Sequence, residues 1–381
     1  MKSNPINASS KSAGRGVAAG LAAALLLGAT MTPAAASAQI QTAWNEPVAD
    51  WAQQSWADFN ALKAAAGGGT QYKTVEEMPD WSGIWTHAGQ PMGQRPTRLF
   101  DPTAMASVLT PRYKAAFLYK YYKVNHDGDE WDQLSDCVPS GFPRYLTEPF
   151  LREFILTPKE TWWINEQVSE ARRLYTDGRG HISADIGNVE PEWEGDSIAF
   201  WNKDTLVVHT LYVTHGQYQR QNPEYSTKTS VIEKLRKIEP DLIEDDITVY
   251  DPESLKQPWH DKTYYQRVTT PNIRIGYWSC DANNNVIKTP TGGSTFELPG
   301  ENIMVPRAYH EPQDFYLTDI QKVLFNSNDP IVLTPEKKTW LKANLPDPTA
   351  FADILGPMTP ADIAAKAEAD AKRAAARAAA G

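Results

Sequence analysis

Seven histidines are scattered along this chain: His87, His126, His181, His209, His215, His260 and His310. His209 stands apart. It sits among Val207, Val208 and Leu211, where an imidazole is either a satisfied core group or a pocket group. Upstream lies the richest polar stretch, with Glu166, Arg172, Arg173, Tyr175, Asp177, Arg179 and His181, followed by Glu194 and Asp196. The bland reading of such a stretch is salt bridges and turn residues. The functional reading is an inward group whose burial shifts pKa values and so creates an acid or a base. On that reading His209, Asp196, Glu194 and His181 are the candidate acids and bases. Arg173 and Tyr225 are the candidates for holding developing negative charge.

Other chemistries lack their residues. No two histidines show the i,i+4 spacing of a metallopeptidase helix, and no Cys/His cluster exists. No metal is expected, although His181, Asp196 and His209 could meet in a barrel. Asn125 to Glu130 lacks the spacing of a calcium loop. Neither a dinucleotide loop nor a phosphate loop is found, so no cofactor is expected. Ser226 has no Gly-x-Ser-x-Gly elbow around it.

The elements that must position these groups follow from composition and pattern. The chain has 381 residues, 41% hydrophobic, 10% aromatic and 22% charged, with net charge −10. That is a globular composition, and the acid excess argues against nonspecific nucleic-acid binding. Lys2, Lys11 and Arg15 precede a short apolar run from Val17 to Met31, and Ala36-Ser37-Ala38 has the form of a cleavage site. Residues 1–38 therefore read as a secretory signal peptide, too short in its apolar part for a membrane anchor. A periplasmic or secreted location follows, with no stable membrane insertion. In an oxidising compartment, Cys137 and Cys280 are expected to form a disulfide, with two buried thiols as the alternative.

Residues 39–75 read as a helical aromatic arm. Trp44, Val48, Trp51, Trp56, Phe59 and Leu62 recur at helical spacing, and Gly67-Gly68-Gly69 ends the element. Residues 76–350 read as one β-barrel-like domain. Its strand candidates are Glu153–Thr157, Thr161–Glu166, Glu170–Tyr175, Asp196–Asn202, Thr205–Tyr212, Thr229–Ile238, Leu242–Tyr250, Tyr264–Thr269 and Ile273–Cys280. Asp177-Gly178, Lys203-Asp204 and Pro271-Asn272 read as hairpin turns. A mainly β fold is expected, an antiparallel meander closing as a lipocalin-like barrel or strongly curved sheet. Both faces of Thr205–Tyr212 are apolar, so one is expected to line a cavity and the other to meet a helix or a partner. Helices are expected at Pro111–Tyr122 and Pro335–Leu341, and a short strand at Asp329–Leu333. Residues 351–381 read as an Ala-rich helical tail, mostly solvated.

Cys137-Val-Pro-Ser-Gly-Phe-Pro143-Arg144, Arg172 to Arg179, Pro191 to Ser197 and Trp201 to Val208 together resemble a large family of exported bacterial proteins of unassigned function. Asp246 to Pro252, Pro258-Trp259 and Cys280 continue the resemblance, which covers about residues 80–285. It implies the disulfide and an antiparallel barrel. Gly83 and Trp85 also look like the first strand of lipocalin-type barrels. The chain departs from the family pattern in four places. Asp196 and Tyr225-Ser226-Thr227 stand where histidine-bearing segments are expected. Asn202-Lys203 stands in place of Glu-Gly, and Asp281-Ala282-Asn283 in place of a Glu-Asn pair.

The function expected is a cofactor-independent enzyme of lyase or isomerase type. Its substrate would be a bulky, partly apolar small molecule such as an aromatic, lignin-derived dimer. The alternative is a noncatalytic lipocalin-like carrier of a hydrophobic small molecule. A homo-oligomer is compatible with the arm and the tail.

Overall fold

The structure, a computed structural model, describes residues 48–88, 99–128, 132, 134, 138–182, 190–220, 222–278, 286–288, 294–296 and 319–380. The segment read as a signal peptide, Trp44, the two cysteines expected to pair (Cys137 and Cys280) and residues 281–283 lie outside the described residues.

Nine strands close into a barrel. In chain order they are β1 (Ile84–His87), β2 (Arg152–Leu156), β3 (Glu160–Asn165), β4 (Ala171–Tyr175), β5 (Asp196–Asn202) and β6 (Thr205–Leu211). Two short strands, β7 (Gly216–Gln217) and β8 (Glu224–Tyr225), pair with each other outside the barrel. Then come β9 (Ser230–Glu239), β10 (Leu242–Tyr250) and β11 (Trp259–Arg267), and β1 closes the ring against β11 and β2. β12 (Val286–Lys288) and β13 (Ser294–Phe296) form a separate pair.

The barrel departs from a pure meander at one seam. β4 and β5 run parallel, with Leu174 opposite Ser197. A parallel neighbour requires a crossover between Tyr175 and Asp196 in place of a hairpin. Asp177-Gly178 is therefore not a hairpin turn, although Asp177 does serve the bend by accepting from the Arg179 amide. Lys203-Asp204 is a true hairpin turn between β5 and β6, with Lys203 at φ 56°. Residues 273–278 form no strand, because β1 takes the place beside β11 that Ile273–Cys280 was expected to fill. Asp329–Leu333 is also irregular.

Alternation along the strands sorts the core. Trp85, Phe154, Trp163, Leu174, Trp201, Leu206, Val208, Leu235, Ile243 and Tyr265 point inward and fill the lumen. The barrel is thus a packed core, as small barrels are. The opposite faces of β5, β6 and β9 present Ile198, Phe200, Val207 and Ile232, with Tyr250 beside them. Helix α1 (Gln53–Ala65) covers this outer face with Phe59, Trp56 and Leu62. The expected helix contact is there, and the inner face meets core instead of a cavity. Phe59 is 1% exposed, so its burial contributes roughly 1.5–3 kcal/mol to docking α1.

Helix α2 (Pro111–Tyr122) starts on a proline, whose missing N–H costs nothing in a first turn. It packs with α3 (Asp319–Asn326) and α4 (Pro335–Asn344). The tail forms α5 (Pro360–Ala380). It is not simply solvated: Lys342 pairs with Asp362, Lys366 donates to the Leu345 carbonyl and Arg373 donates to Asn344.

Candidate functional site

The six residues singled out from sequence fall into three places. His181, Asp196 and His209 meet under α1. Glu194 and Tyr225 lie toward the barrel interior. Arg173 is on the outer wall, with its guanidinium 4.0 Å over the Trp162 ring. Arg173 and Tyr225 therefore do not join His209 and Asp196 at one site. The cause is strand parity: Arg172, not Arg173, shares the inward face with Leu174.

The first group is a linear hydrogen-bond chain. His181 Nδ1 lies 2.7 Å from Asp196 Oδ2, and His181 Nε2 lies 2.9 Å from His209 Nδ1. His209 Nε2 then lies 2.9 Å from Ser55 Oγ on α1. Ser230 Oγ donates to Ser55 Oγ at 2.8 Å, and Ser55 Oγ is also 3.0 Å from the Ala52 carbonyl. His209, Ser55 and Ser230 are fully buried and His181 is nearly so. Both ring nitrogens of His181 are used within the chain, so the three groups line up and do not converge on one point. Among the described residues, no cluster of three or more His, Cys, Asp or Glu side chains fits a metal ion.

Local sequence explains the placement. Gly195 has φ 64°, and a Cβ there would lie 2.5 Å from the Leu211 carbonyl oxygen. Only glycine lets the chain approach β6 this closely and turn into β5, which puts Asp196 opposite Leu211. The Ile182 amide donates to the same Asp196 oxygen at 3.1 Å and fixes the carboxylate. His209 faces outward from β6, opposite Ile198 on one side and Ile232 on the other. Phe59 stacks on it at 5.3 Å, and Trp56 lies 5.8 Å from both imidazoles.

The proton order follows from donor and acceptor bookkeeping. The Asp196 carboxylate accepts, so His181 carries its proton on Nδ1 and offers Nε2 as an acceptor. His209 therefore donates from Nδ1 and leaves Nε2 bare. Ser55 accepts from Ser230 and has one proton to share between that nitrogen and the Ala52 carbonyl. Burial, and next the neighbouring His181, hold His209 well below the ordinary imidazole range. It is accordingly neutral at neutral pH, which this order requires. An added proton would reverse the chain without breaking it: His209 would donate to Ser55, and Ser55 would turn to the Ala52 carbonyl.

The second group is inside the barrel. Arg172 donates to both carboxylate oxygens of Glu233, at 3.1 and 2.7 Å, and its guanidinium lies 3.8 Å over the Phe142 ring. Ser197 and Thr210 hydrogen-bond one another at 2.8 Å beside it. Glu170 accepts from Ser140 Oγ at 2.9 Å. The Phe142 amide donates to the Trp193 carbonyl at 2.7 Å. Segments 138–144, 170–175 and 191–197, read apart in the sequence, thus meet at one end of the barrel. The Tyr225 hydroxyl is buried without a partner, and a Cβ on Gly216 would lie 2.6 Å from it.

Ser55 and Glu170 were missed. Ser55 had a signal: with Trp51 and Phe59 it sits at i−4 and i+4 on one helix face, a polar residue within an aromatic stripe. Cavities of about 550 Å³, near Trp340 and Arg373, and about 530 Å³, near Arg112 and Ile331, are lined by none of the site residues. Compared with known proteins, the chain matches no family model, no curated protein and no solved structure.

Proposed function

We propose that this protein is a cofactor-independent enzyme of lyase or isomerase type, in which His209, backed by His181 and Asp196, is the base. The observation that carries the reading is the hydrogen-bond chain from Asp196 to Ser55, which leaves one nitrogen, His209 Nε2, without a proton of its own and facing the Ser55 hydroxyl. In the closed state the Ser55 hydroxyl occupies the place of a substrate proton donor. Displacement of α1 exposes Nε2 to water and substrate and relieves the desolvation that holds His209 neutral. The seam it opens is walled by Trp51, Trp56, Phe59 and Tyr212. That lining suits a bulky, partly apolar molecule such as an aromatic dimer. As His209 Nε2 takes the proton, His209 Nδ1–H goes on donating to His181 Nε2, and the Asp196 carboxylate, acting through His181, stabilises the single positive charge. Glu194 and Tyr225 are too far into the barrel end to serve this base directly, and Arg173 faces away. Export to the periplasm, read from residues 1–38, would put the enzyme where such compounds enter the cell.

The test is incubation of the purified protein with a panel of aromatic dimers and sterols, followed by mass spectrometry. Isomerised or cleaved products with wild type, lost in folded His209→Ala and His181→Ala, support the reading. A ligand that is retained and recovered unchanged by all three proteins overturns it in favour of the noncatalytic carrier.

A further inference from the structure

Among the described residues, the barrel interior holds more carboxyl groups than cations. Arg172 is committed to Glu233. Arg152 donates to the Leu146 and Glu148 carbonyls. Glu170, Glu194 and Asp245 have no cation of their own among the described residues. Neither oxygen of Glu194 nor of Asp245 has a hydrogen-bond donor, and all four atoms are shut off from solvent. Glu194 as a residue is part-exposed, but not through its carboxyl oxygens, which are buried. An ionised carboxylate left this way costs several kcal/mol, so such groups neutralise.

The Glu194 carboxyl lies beside that of Glu170, on segments tied together where the Phe142 amide donates to the Trp193 carbonyl and Ser140 donates to Glu170. Two carboxylates cannot hydrogen-bond each other. One carboxylic acid and one carboxylate can. We propose that Glu170 and Glu194 form a binding site for a single shared proton, and that this proton closes the end of the barrel where segments 138–144 and 191–197 meet.

The groups around the pair support a proton and not a metal or a cationic side chain. Glu170 receives the Ser140 hydroxyl and the Gly141 amide and faces Glu148. Glu194 faces Arg172 from β4 and Glu233 from β9. Tyr145 and Tyr225 are close to both carboxyls, and Arg144, near Tyr225, is taken up by Asp132 and Glu148. Burial, with Glu148 adding to it and Ser140 and Gly141 opposing it, pushes Glu170 up to about 7, and burial followed by Glu170 pushes Glu194 well above the usual carboxylate range. The sign follows. The folded chain holds a proton that the unfolded chain releases, so stability is full below the ordinary glutamate range and falls as pH rises through the folded value.

Two measurements test this. Infrared spectroscopy of folded protein at about pH 7 reads the C=O stretch of protonated carboxylic acids. Asp245 is the other interior acid, so the band is read in Asp245→Asn. A band that remains there and vanishes in Asp245→Asn/Glu194→Gln is the expected result. No acid band in folded Asp245→Asn at pH 7 overturns the proposal. Should the double variant fail to fold, loss of the Asp245→Asn band on urea unfolding at the same pH is the expected result, and its persistence overturns the proposal. Thermal melting supplies the second test. Glu194→Gln, whose amide donates permanently to Glu170, should flatten the loss of stability between about pH 5 and about pH 9 and melt about 2–4 °C above wild type at the upper end. A pH slope equal to that of wild type overturns it.

Discussion

His209 Nε2 and Ser55 Oγ are 2.9 Å apart, and that contact joins β6 of the barrel to the helix that covers it. It links fold and chemistry because the same nitrogen that would act as a base is the one α1 caps. A barrel wall alone would leave His209 on an apolar outer face in contact with water. A helix alone would have no reason to bury a serine between Trp51 and Phe59.

Ser55→Ala separates the cap from the base. It removes the donor to His209 and the acceptor for Ser230, both fully buried. Loss of such a group costs about 1–3 kcal/mol, felt as weaker docking of α1. Limited proteolysis should cut within residues 53–65 faster than in wild type. Turnover in the substrate panel should be kept or raised, because His209 keeps its support from His181. Abolished turnover in a folded Ser55→Ala protein would instead make Ser55 part of the reaction.

Glu233→Gln tests the interior ion pair. Arg172 and Glu233 are both fully buried and joined by two hydrogen bonds. Each is the other's only charged partner in a salt bridge among the described residues, so breaking the pair leaves a buried guanidinium with Thr210, Ser197 and the Phe142 ring alone. The expected loss is roughly 3–5 kcal/mol in chemical denaturation. A smaller loss, under about 1 kcal/mol, would mean that Ser197, Thr210 and the Phe142 ring already satisfy Arg172.

Acid should destabilise this fold early. Burial lowers His87 to about 3, with Arg152 adding to the effect, and burial lowers His215 to about 4. His209 is also held well below the ordinary range. For each of them the unfolded chain binds a proton that the folded chain refuses. Stability should therefore fall as pH drops below about 6.5. The His87→Gln variant can still hydrogen-bond Thr263, which is 2.7 Å from His87 Nε2. It should melt with a shallower acid limb than wild type, and an unchanged limb would count against burial as the cause.

The strands were largely legible in the sequence because alternation and tight turns are local. β5, β6, β9 and β10 begin and end within a residue or two of their expected positions. The parallel β4–β5 seam was not legible. Asp177-Gly178 has the residue types of a hairpin, and only tertiary pairing reveals that the chain crosses over. The site was half legible. His209, Asp196 and His181 were chosen for residue type and strand position, and they do meet. Arg173 shares a strand face with Tyr175, but only the neighbouring strands show that this face is the outer one and that Arg172 points inward. Ser55 lies more than 120 residues before His181, and no local pattern ties it to a histidine on another element.

The proton order in the chain from Ser55 to Asp196 is read most directly by nitrogen NMR of protein labelled at its histidine ring nitrogens. At neutral pH the account predicts that His209 is neutral and that both rings carry a proton on Nδ1, with His209 donating from Nδ1 to His181 Nε2. Asp196→Asn should scramble that order, since an amide can donate as well as accept. A proton found on His209 Nε2 in the wild-type protein at neutral pH would contradict the assignment of His209 as the base.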